Sequence, residues 1–434
     1  MPILQRFLSK LKGLSKDQFW RNAGNLFSGA AIGQALPILI FPLLTRIYPK
    51  VMFDVYFIYS GIILLTKIIA TLQYQFALLI PKKDSDARSL LVINGGISVL
   101  VSFFLTILIF SIAPWISQFI ESKELIDWLY YIPLSTFFLG IFECFMYYLN
   151  RLKKYSLITY GRVSKGLILV ITQTAFGLTG FTIDGLLYGL LLAQGISAAL
   201  MVIFTIKSDP KCFVYTRGNI GDLLRKYKDM PLYNTLISFT NNLSNQLPVF
   251  MLTNFYGSGA SGDFGMANKI VNTPMGMIAN SVGQVYYKEI NEIMHSKRDL
   301  RAFTNRLYRN MFRIGLSPFT VLIFAAPWIF SWLLSDEYVT TGYMTQLLVP
   351  FYFISFMNNP ATGLLTMLNR QKAGALYQLA LLAGRIIALG AGVYYFDNVL
   401  VTIGLFSGVS LLFNAYLYLY LIKLAGNPPR TYHG

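Results

Sequence analysis

The chain has 434 residues, of which 55% are hydrophobic and only 13% charged, and its mean hydropathy is +0.54. A soluble protein of this size carries roughly a quarter charged residues, so the composition excludes a water-soluble globular enzyme and places the chain in a bilayer. The net charge of +17 then reads as basic loops and contact with anionic membrane lipids, and not as nucleic-acid binding.

Taken in chain order, residues 3–16 put Ile3, Leu4, Phe7, Leu8, Leu11 and Leu14 on one helical face, with Arg6, Lys10, Lys12 and Lys16 elsewhere. This predicts a basic amphipathic helix at the membrane interface within residues 1–21, and it lacks the uninterrupted apolar core of a signal peptide. Apolar runs near the ~20 residues that cross hydrocarbon follow at about 22–45, 54–80, 90–112, 128–150, 156–179 and 184–206. A polar, basic connection at 207–231 separates them from runs at about 232–256, 263–288, 311–334, 342–368, 375–396 and 398–422, and a tail occupies 425–434. The predicted fold is an all-α polytopic membrane protein of twelve transmembrane helices, six in an N-lobe (22–206) and six in a C-lobe (232–424).

Lys and Arg concentrate in the loops on the side of the N-terminus, while the opposite loops hold only Arg46, Lys50 and Lys123. By the positive-inside rule both termini and the tail are expected in the cytoplasm. Cys144 lies in an apolar run and Cys212 in a polar loop, so they are expected not to pair.

The two lobes echo each other. Leu149-Asn150-Arg151-Leu152-Lys153 returns as Leu368-Asn369-Arg370-Gln371-Lys372 at an offset of 219, and Ala113-Pro114-Trp115-Ile116 as Ala326-Pro327-Trp328-Ile329 at 213. Leu36-Pro37 matches Leu247-Pro248 at 211, and Asp54 matches Asp263 at 209. Four matches in one order with slowly drifting offsets argue for related halves, the pattern of a two-lobed transporter. Asn150, Arg151, Asn369 and Arg370 read as topology anchors, with inward gating as the alternative.

Five basic residues fall inside the spans: Lys67, Arg162, Lys165, Lys269 and Arg385. An ionised side chain at mid-bilayer costs about 2.5–3.5 kcal/mol on the lenient insertion scale, so these are expected to face a wet cavity or a partner. Arg162 and Lys165 lie close enough to a boundary to snorkel instead. Glu143, the one acidic residue well inside a span, reads either as a site of proton or cation coupling or as a fixed neutraliser of a cavity cation. Polar stripes accompany these charges: Tyr56, Ser60, Lys67, Thr71 and Tyr74 in the second span, and Thr136, Gly140, Glu143, Tyr147 and Asn150 in the fourth. Asn241 and Asn245 in the seventh span and Asn272 in the eighth extend the set, with packing between helices as the alternative for the asparagines.

A central cavity of positive charge suits an anionic, hydroxyl-rich substrate, because Arg and Lys meet phosphate while Asn and Tyr address sugars. A lipid-linked saccharide diphosphate meets both requirements. Lys67→Ala and Arg385→Ala are therefore expected to leave insertion intact and stop surface polysaccharide from appearing.

Ala35-Leu36-Pro37, Leu43-Leu44-Thr45-Arg46-Ile47-Tyr48 and Ala70-Thr71-Leu72-Gln73-Tyr74-Gln75-Phe76-Ala77-Leu78-Leu79-Ile80-Pro81-Lys82 resemble the bacterial Wzx-type oligosaccharide flippases. Asn150-Arg151-Leu152-Lys153-Lys154-Tyr155 is similar to their connection between spans four and five. The resemblance implies the multidrug/oligosaccharidyl-lipid/polysaccharide superfamily, with two six-helix lobes forming a V, as in the MATE transporters, and alternating between inward and outward openings. It further implies a bacterial inner-membrane protein that moves undecaprenyl-diphosphate-linked O-antigen or similar repeat units, as in lipopolysaccharide synthesis, to the periplasmic leaflet. A polysaccharide polymerase and glycosyltransferases are its expected neighbours.

No phosphate-binding loop is present, and His295 and His433 stand apart from any acid or nucleophile. No enzymatic activity, cofactor or metal is therefore expected; the driving force is an H+ or Na+ gradient or downhill use of the product. The rival readings are a multidrug exporter of the same fold, a major-facilitator sugar symporter, a lipid-II-type flippase and a non-transporting scaffold for glycosyltransferases. Five intramembrane bases against one carboxylate oppose organic cations, and Pro81-Lys82-Lys83-Asp84-Ser85-Asp86-Ala87-Arg88 departs from the symporter loop.

Overall fold

The computed structural model describes residues 35–116, 122–215, 220–228, 234–296, 299–368 and 370–426. The expected interfacial helix of residues 1–21, most of the first span and the tail beyond residue 426 lie outside them. The end of the first span is helix α1, Phe41–Ile47, and two long helices, α2, Met52–Ala70, and α3, Asp84–Ile116, follow it. Next come α4, Ile132–Arg151, α5, Tyr155–Leu178, and α6, Ile183–Ser208. Helix α7 is Thr235–Tyr256, and α8 runs from Ala260–Ala267 through a π turn at Asn268–Asn272 into Thr273–Ser296. The series closes with α9, Leu300–Leu333, α10, Val339–Asn358, α11, Gln371–Phe396, and α12, Val399–Gly426.

The helices α2 to α12 fall on the second to twelfth expected spans, so the polytopic all-α reading holds. Seven of them, α2, α3, α4, α6, α9, α11 and α12, are long and apolar enough to cross a membrane. The others, α5, α7, α8 and α10, carry more polar residues, which is what a helix lined by protein or water tolerates and a lipid-facing one does not.

Several boundaries differ from the expectation. Helix α2 stops at Ala70 and does not run on to 80: Leu72 and Gln73 adopt left-handed φ of 47° and 60°, and residues Tyr74–Leu79 form a 3-10 turn. The broken end is satisfied by side chains, since Ser98 Oγ donates to the Ala70 carbonyl at 3.0 Å and Gln73 Nε2 to that of Ile68 at 3.1 Å. Likewise α10 ends at Asn358, and a 3-10 turn at Asn359–Thr362 containing Pro360, which has no N–H to continue the ladder, leads into a short helix Gly363–Met367. Helices α3 and α9 instead extend well beyond the apolar run at their N-terminal ends, where charged residues occupy the added turns.

The described residues divide into two compact units, 33–265 and 266–434. The first runs past the connection at 207–231 to include α7, which packs along α2. Within it α8 begins at a clasp: the Asp54 carboxylate accepts the backbone N–H groups of Gly259 and Gly262, and Lys50 Nζ lies 2.9 Å from Asp263 Oδ2. A second knot ties α3, α4 and the end of α6, where Arg88 donates to Asp209 Oδ2 and Oδ1 at 2.9 and 3.1 Å and Tyr148 Oη to Oδ2 at 2.7 Å. Cys144 and Cys212 are both free and buried.

In the second unit, Pro327 inside α9 removes the N–H that would have bonded to Ile323, and Gln346 Nε2 of α10 fills that carbonyl at 2.7 Å. Gly342 lets α10 approach there, because a Cβ at that position would lie 2.3 Å from Pro327 Cα. The repeated motif occupies equivalent environments in the two units: Ala113 and Ala326 are buried while Trp115 and Trp328 are exposed.

Candidate functional site

The intramembrane charges of the first unit converge on one place. Lys67 sits in the last turn of α2, where the carbonyl end of the helix favours a cation. Its Nζ lies 2.6 Å from Glu143 Oε1 on α4, with side-chain exposures of 35% and 17%. Two turns away on α4, Thr136 Oγ1 donates to Thr66 Oγ1 at 2.7 Å, and Gly140 packs against Ser98 and Ala70. The polar stripe of α4 is therefore used partly against α2 and α3, not wholly toward water.

Helix α5 adds two more cations. The Arg162 guanidinium reaches 3.3 Å from Met146 Sδ, and Lys165 Nζ stands 4.9 Å from the centre of the Phe142 ring. Both act electrostatically on Glu143, as does Lys67, and Tyr147 lies in the same field. Three cations thus surround one carboxylate, and the cluster on α2, α4 and α5 is positive. Lys67, Arg162, Lys165 and Glu143 are all partly exposed, and Glu143 offsets part of the self-repulsion of the cations.

The other residues singled out from the sequence are placed differently. Tyr74 is buried beyond the break in α2, with its hydroxyl donating to the Leu224 carbonyl at 3.1 Å, so it does not share a face with Lys67. In α7, Asn245 Nδ2 donates to Asn241 Oδ1 at 3.3 Å, a bond along one helix between two half-buried side chains. Arg151 donates to the carbonyls of Pro81 at 2.6 Å and Leu78 at 3.4 Å and to Asp84 Oδ1 at 2.9 Å. It ties the end of α4 to the turn before α3. Asn150 beside it is half-buried; Arg370 is exposed, and Asn369 lies outside the described residues.

In the second unit, Lys269 lies half-buried in the π turn of α8, where the Thr273 N–H reaches Asn268 and Asn272 Nδ2 donates to Asn268 Oδ1 at 2.9 Å. Pro274, which cannot donate, follows directly and explains why the turn widens there. Arg385 departs from the expectation of a wet surface: it is 1% exposed, and its Nε donates to Ser410 Oγ at 2.8 Å. Its guanidinium stands 5.0 and 4.8 Å from the ring centres of Phe351 and Phe406. The cation is solvated by aromatic faces and a hydroxyl in the packing of α10, α11 and α12.

Two features escaped sequence reading. The Asp54 clasp was visible only as a repeat match with Asp263, and nothing in the sequence marks Asp209 as the acceptor for Arg88 and Tyr148. Burial pushes the Asp209 carboxyl up, but the hydrogen bonds from Tyr148, Arg88 and the Lys211 backbone hold it below the usual carboxylate range. Among the described residues no group of His, Cys, Asp and Glu is placed to hold a metal ion.

The helical arrangement is similar to that of solved transporters across nearly the whole chain. An inward-facing multidrug resistance MATE family transporter of the MOP superfamily matches with a TM-score of 0.68 at 13% identity, covering 93% of this chain and 95% of that one. The lipid II flippase MurJ in an inward closed conformation gives 0.69 at 15% identity, with 92% and 88% covered. The eukaryotic MATE transporter AtDTX14 gives 0.60 at 14%, with 97% and 99% covered. No curated protein matches in sequence. The fold is the one these solved proteins share. The chain belongs to the polysaccharide biosynthesis protein family, whose model matches residues 43–341.

Proposed function

We propose that this protein is a flippase for lipid-linked oligosaccharides, moving undecaprenyl-diphosphate-linked repeat units of O-antigen or a similar surface polysaccharide across a bacterial inner membrane. The observation that carries the reading is the positive cluster of Lys67, Arg162 and Lys165 around Glu143. A diphosphate supplies the negative charge such a cluster lacks, and bidentate contact with the Arg162 guanidinium suits phosphate geometry. Membership of the polysaccharide biosynthesis family supports the saccharide half of the substrate. Glu143, already engaged by Lys67, serves as a fixed counter-charge in this scheme. Transport proceeds by alternating access and draws on an H+ or Na+ gradient, and no bond of the substrate is broken.

Deleting the gene and analysing membrane lipids tests the reading. Accumulation of a complete diphosphate-linked oligosaccharide on the cytoplasmic side, cleared by the wild-type gene but not by Arg162→Glu/Lys165→Glu, is the expected result. Unchanged lipid intermediates together with altered resistance to organic cations would establish the multidrug alternative.

A further inference from the structure

Helix α9 changes character along one face. Its N-terminal turns expose Arg301, Arg306, Arg309 and Arg313, and from Phe312 onward the row of side chains that steps on from Arg309 is apolar. The apolar part forms a groove of about 400 Å³ with α10 and α12. Phe312, Leu316 and Ile323, 41–47% exposed, wall the groove, while Phe319 and Val349 are buried in its floor. Residues 309, 312, 316, 319 and 323 recur at three- and four-residue steps, so Arg309 heads the row of side chains that walls the groove. Arg313 stands beside Phe312 at the same level. Tyr418 of α12 lines that end too, its ring 4.7 Å from the ring of Tyr308 and edge-on to it.

We propose that this groove is a binding site for an anionic phospholipid of the surrounding membrane, with the phosphodiester held by Arg309 and Arg313 and one acyl chain lying along Phe312, Leu316 and Ile323. The charge and the shape point to the same occupant. Apart from Thr320 and Tyr418 the residues that line the groove are apolar, and an aliphatic chain fits such walls as well as any side chain. Guanidinium groups at its head recognise phosphate through paired N–H donors, and their position at the junction of polar and apolar surface matches the depth at which a lipid carries its phosphate. A zwitterionic lipid would bring its own ammonium against the arginines, so the site discriminates by net charge. Both parts lie on the second unit, whereas the Lys67 cluster is built from helices of the first, so the site draws on a different set of residues from the one assigned to the transported headgroup.

Native mass spectrometry of the full-length protein in detergent tests this, with phosphatidylglycerol and phosphatidylethanolamine of identical acyl chains as probes. The wild type is expected to retain phosphatidylglycerol at least fivefold better than phosphatidylethanolamine. Arg309→Gln/Arg313→Gln, at exposed positions, abolishes that preference, and Ile323→Trp, which fills the groove, lowers retention of both lipids severalfold. Equal retention of the two lipids by the wild type would overturn the proposal, as would an unchanged preference in the double variant. Displacement of bound phosphatidylglycerol by an equimolar polyprenyl diphosphate would also overturn it, because the groove would then belong to the tail of the transported lipid.

Discussion

Lys67 on α2 and Glu143 on α4 meet at 2.6 Å, and Arg162 and Lys165 on α5 both add positive potential at the same carboxylate. The consequence is an asymmetry. Removing Lys67 leaves Glu143 with two other cations, whereas removing the charge of Glu143 takes away the carboxylate that all three cations share. Glu143→Gln should therefore destabilise more than Lys67→Met, by about 1–2 kcal/mol once the partial exposure of the pair is allowed for. Thermal unfolding in detergent of both single variants and the double variant measures it, and the double variant should lose less than the two single losses added together.

The Asp54 carboxylate receives the N–H groups of Gly259 and Gly262 at the start of α8, while Asp263 in the first turn of that helix pairs with Lys50. Asp54 acts as an N-cap from a distant segment, so Asp54→Ala should cost about 1–2 kcal/mol and Asp54→Asn roughly half of that, since the amide keeps one acceptor. Unfolding midpoints of the two variants decide it. Gly259 has a φ of 95°, so Gly259→Ala should be destabilising as well.

Arg385 holds Ser410 and faces two phenyl rings, and its role is structural in this account. Arg385→Lys should destabilise by about 1–3 kcal/mol, since a compact ammonium cannot lie flat between two rings. Arg385→Met, similar in volume and uncharged, should cost less. Export per folded molecule should stay near wild type in both, in contrast to the loss of export expected from the sequence for Arg385→Ala. Surface polysaccharide normalised to the amount of folded protein in the membrane separates the two outcomes.

Asp209 gives the pH dependence its sign. Its folded-state pKa is lowered, so the stability that it contributes is present above the unfolded value of about 3.9 and disappears as pH falls through the folded value below it. The melting temperature should be insensitive to this group between about pH 5 and pH 8 and should drop at lower pH. Asp209→Asn should melt lower at neutral pH, by the equivalent of about 1–3 kcal/mol for charged hydrogen bonds, and should lose the part of the acid sensitivity that this group supplies.

What could be read in advance follows from where the signal lies. Helix existence was legible because apolar runs of bilayer length are written residue by residue, and the seven most apolar helices were all among the expected spans. The end of α2 was not, because Thr71-Leu72-Gln73 contains neither Gly nor Pro and the break depends on Ser98 and Gln73 reaching freed carbonyls. Pro360 did carry a local signal for the end of α10, as Pro274 did for the π turn around Lys269. At the site, intramembrane charge singled out Lys67, Glu143, Arg162 and Lys165, which the fold brings together, but pairing is a property of packed helices. Arg385 illustrates the limit of the same rule: the cost of burying charge says that a cation needs solvating, not whether water or aromatic rings do it. Tyr74 was misplaced for one reason only, the change of helical phase at residue 71.

The central claim is that the positive cluster on α2, α4 and α5 carries an anionic headgroup across the membrane. Flipping of a fluorescently labelled polyprenyl-diphosphate oligosaccharide in proteoliposomes, compared between wild type and Arg162→Glu/Lys165→Glu protein matched for folded content, tests it most directly. The account predicts rapid flipping by the wild type and a loss of at least tenfold in the charge-reversed protein. Flipping at the wild-type rate by the charge-reversed protein would contradict it.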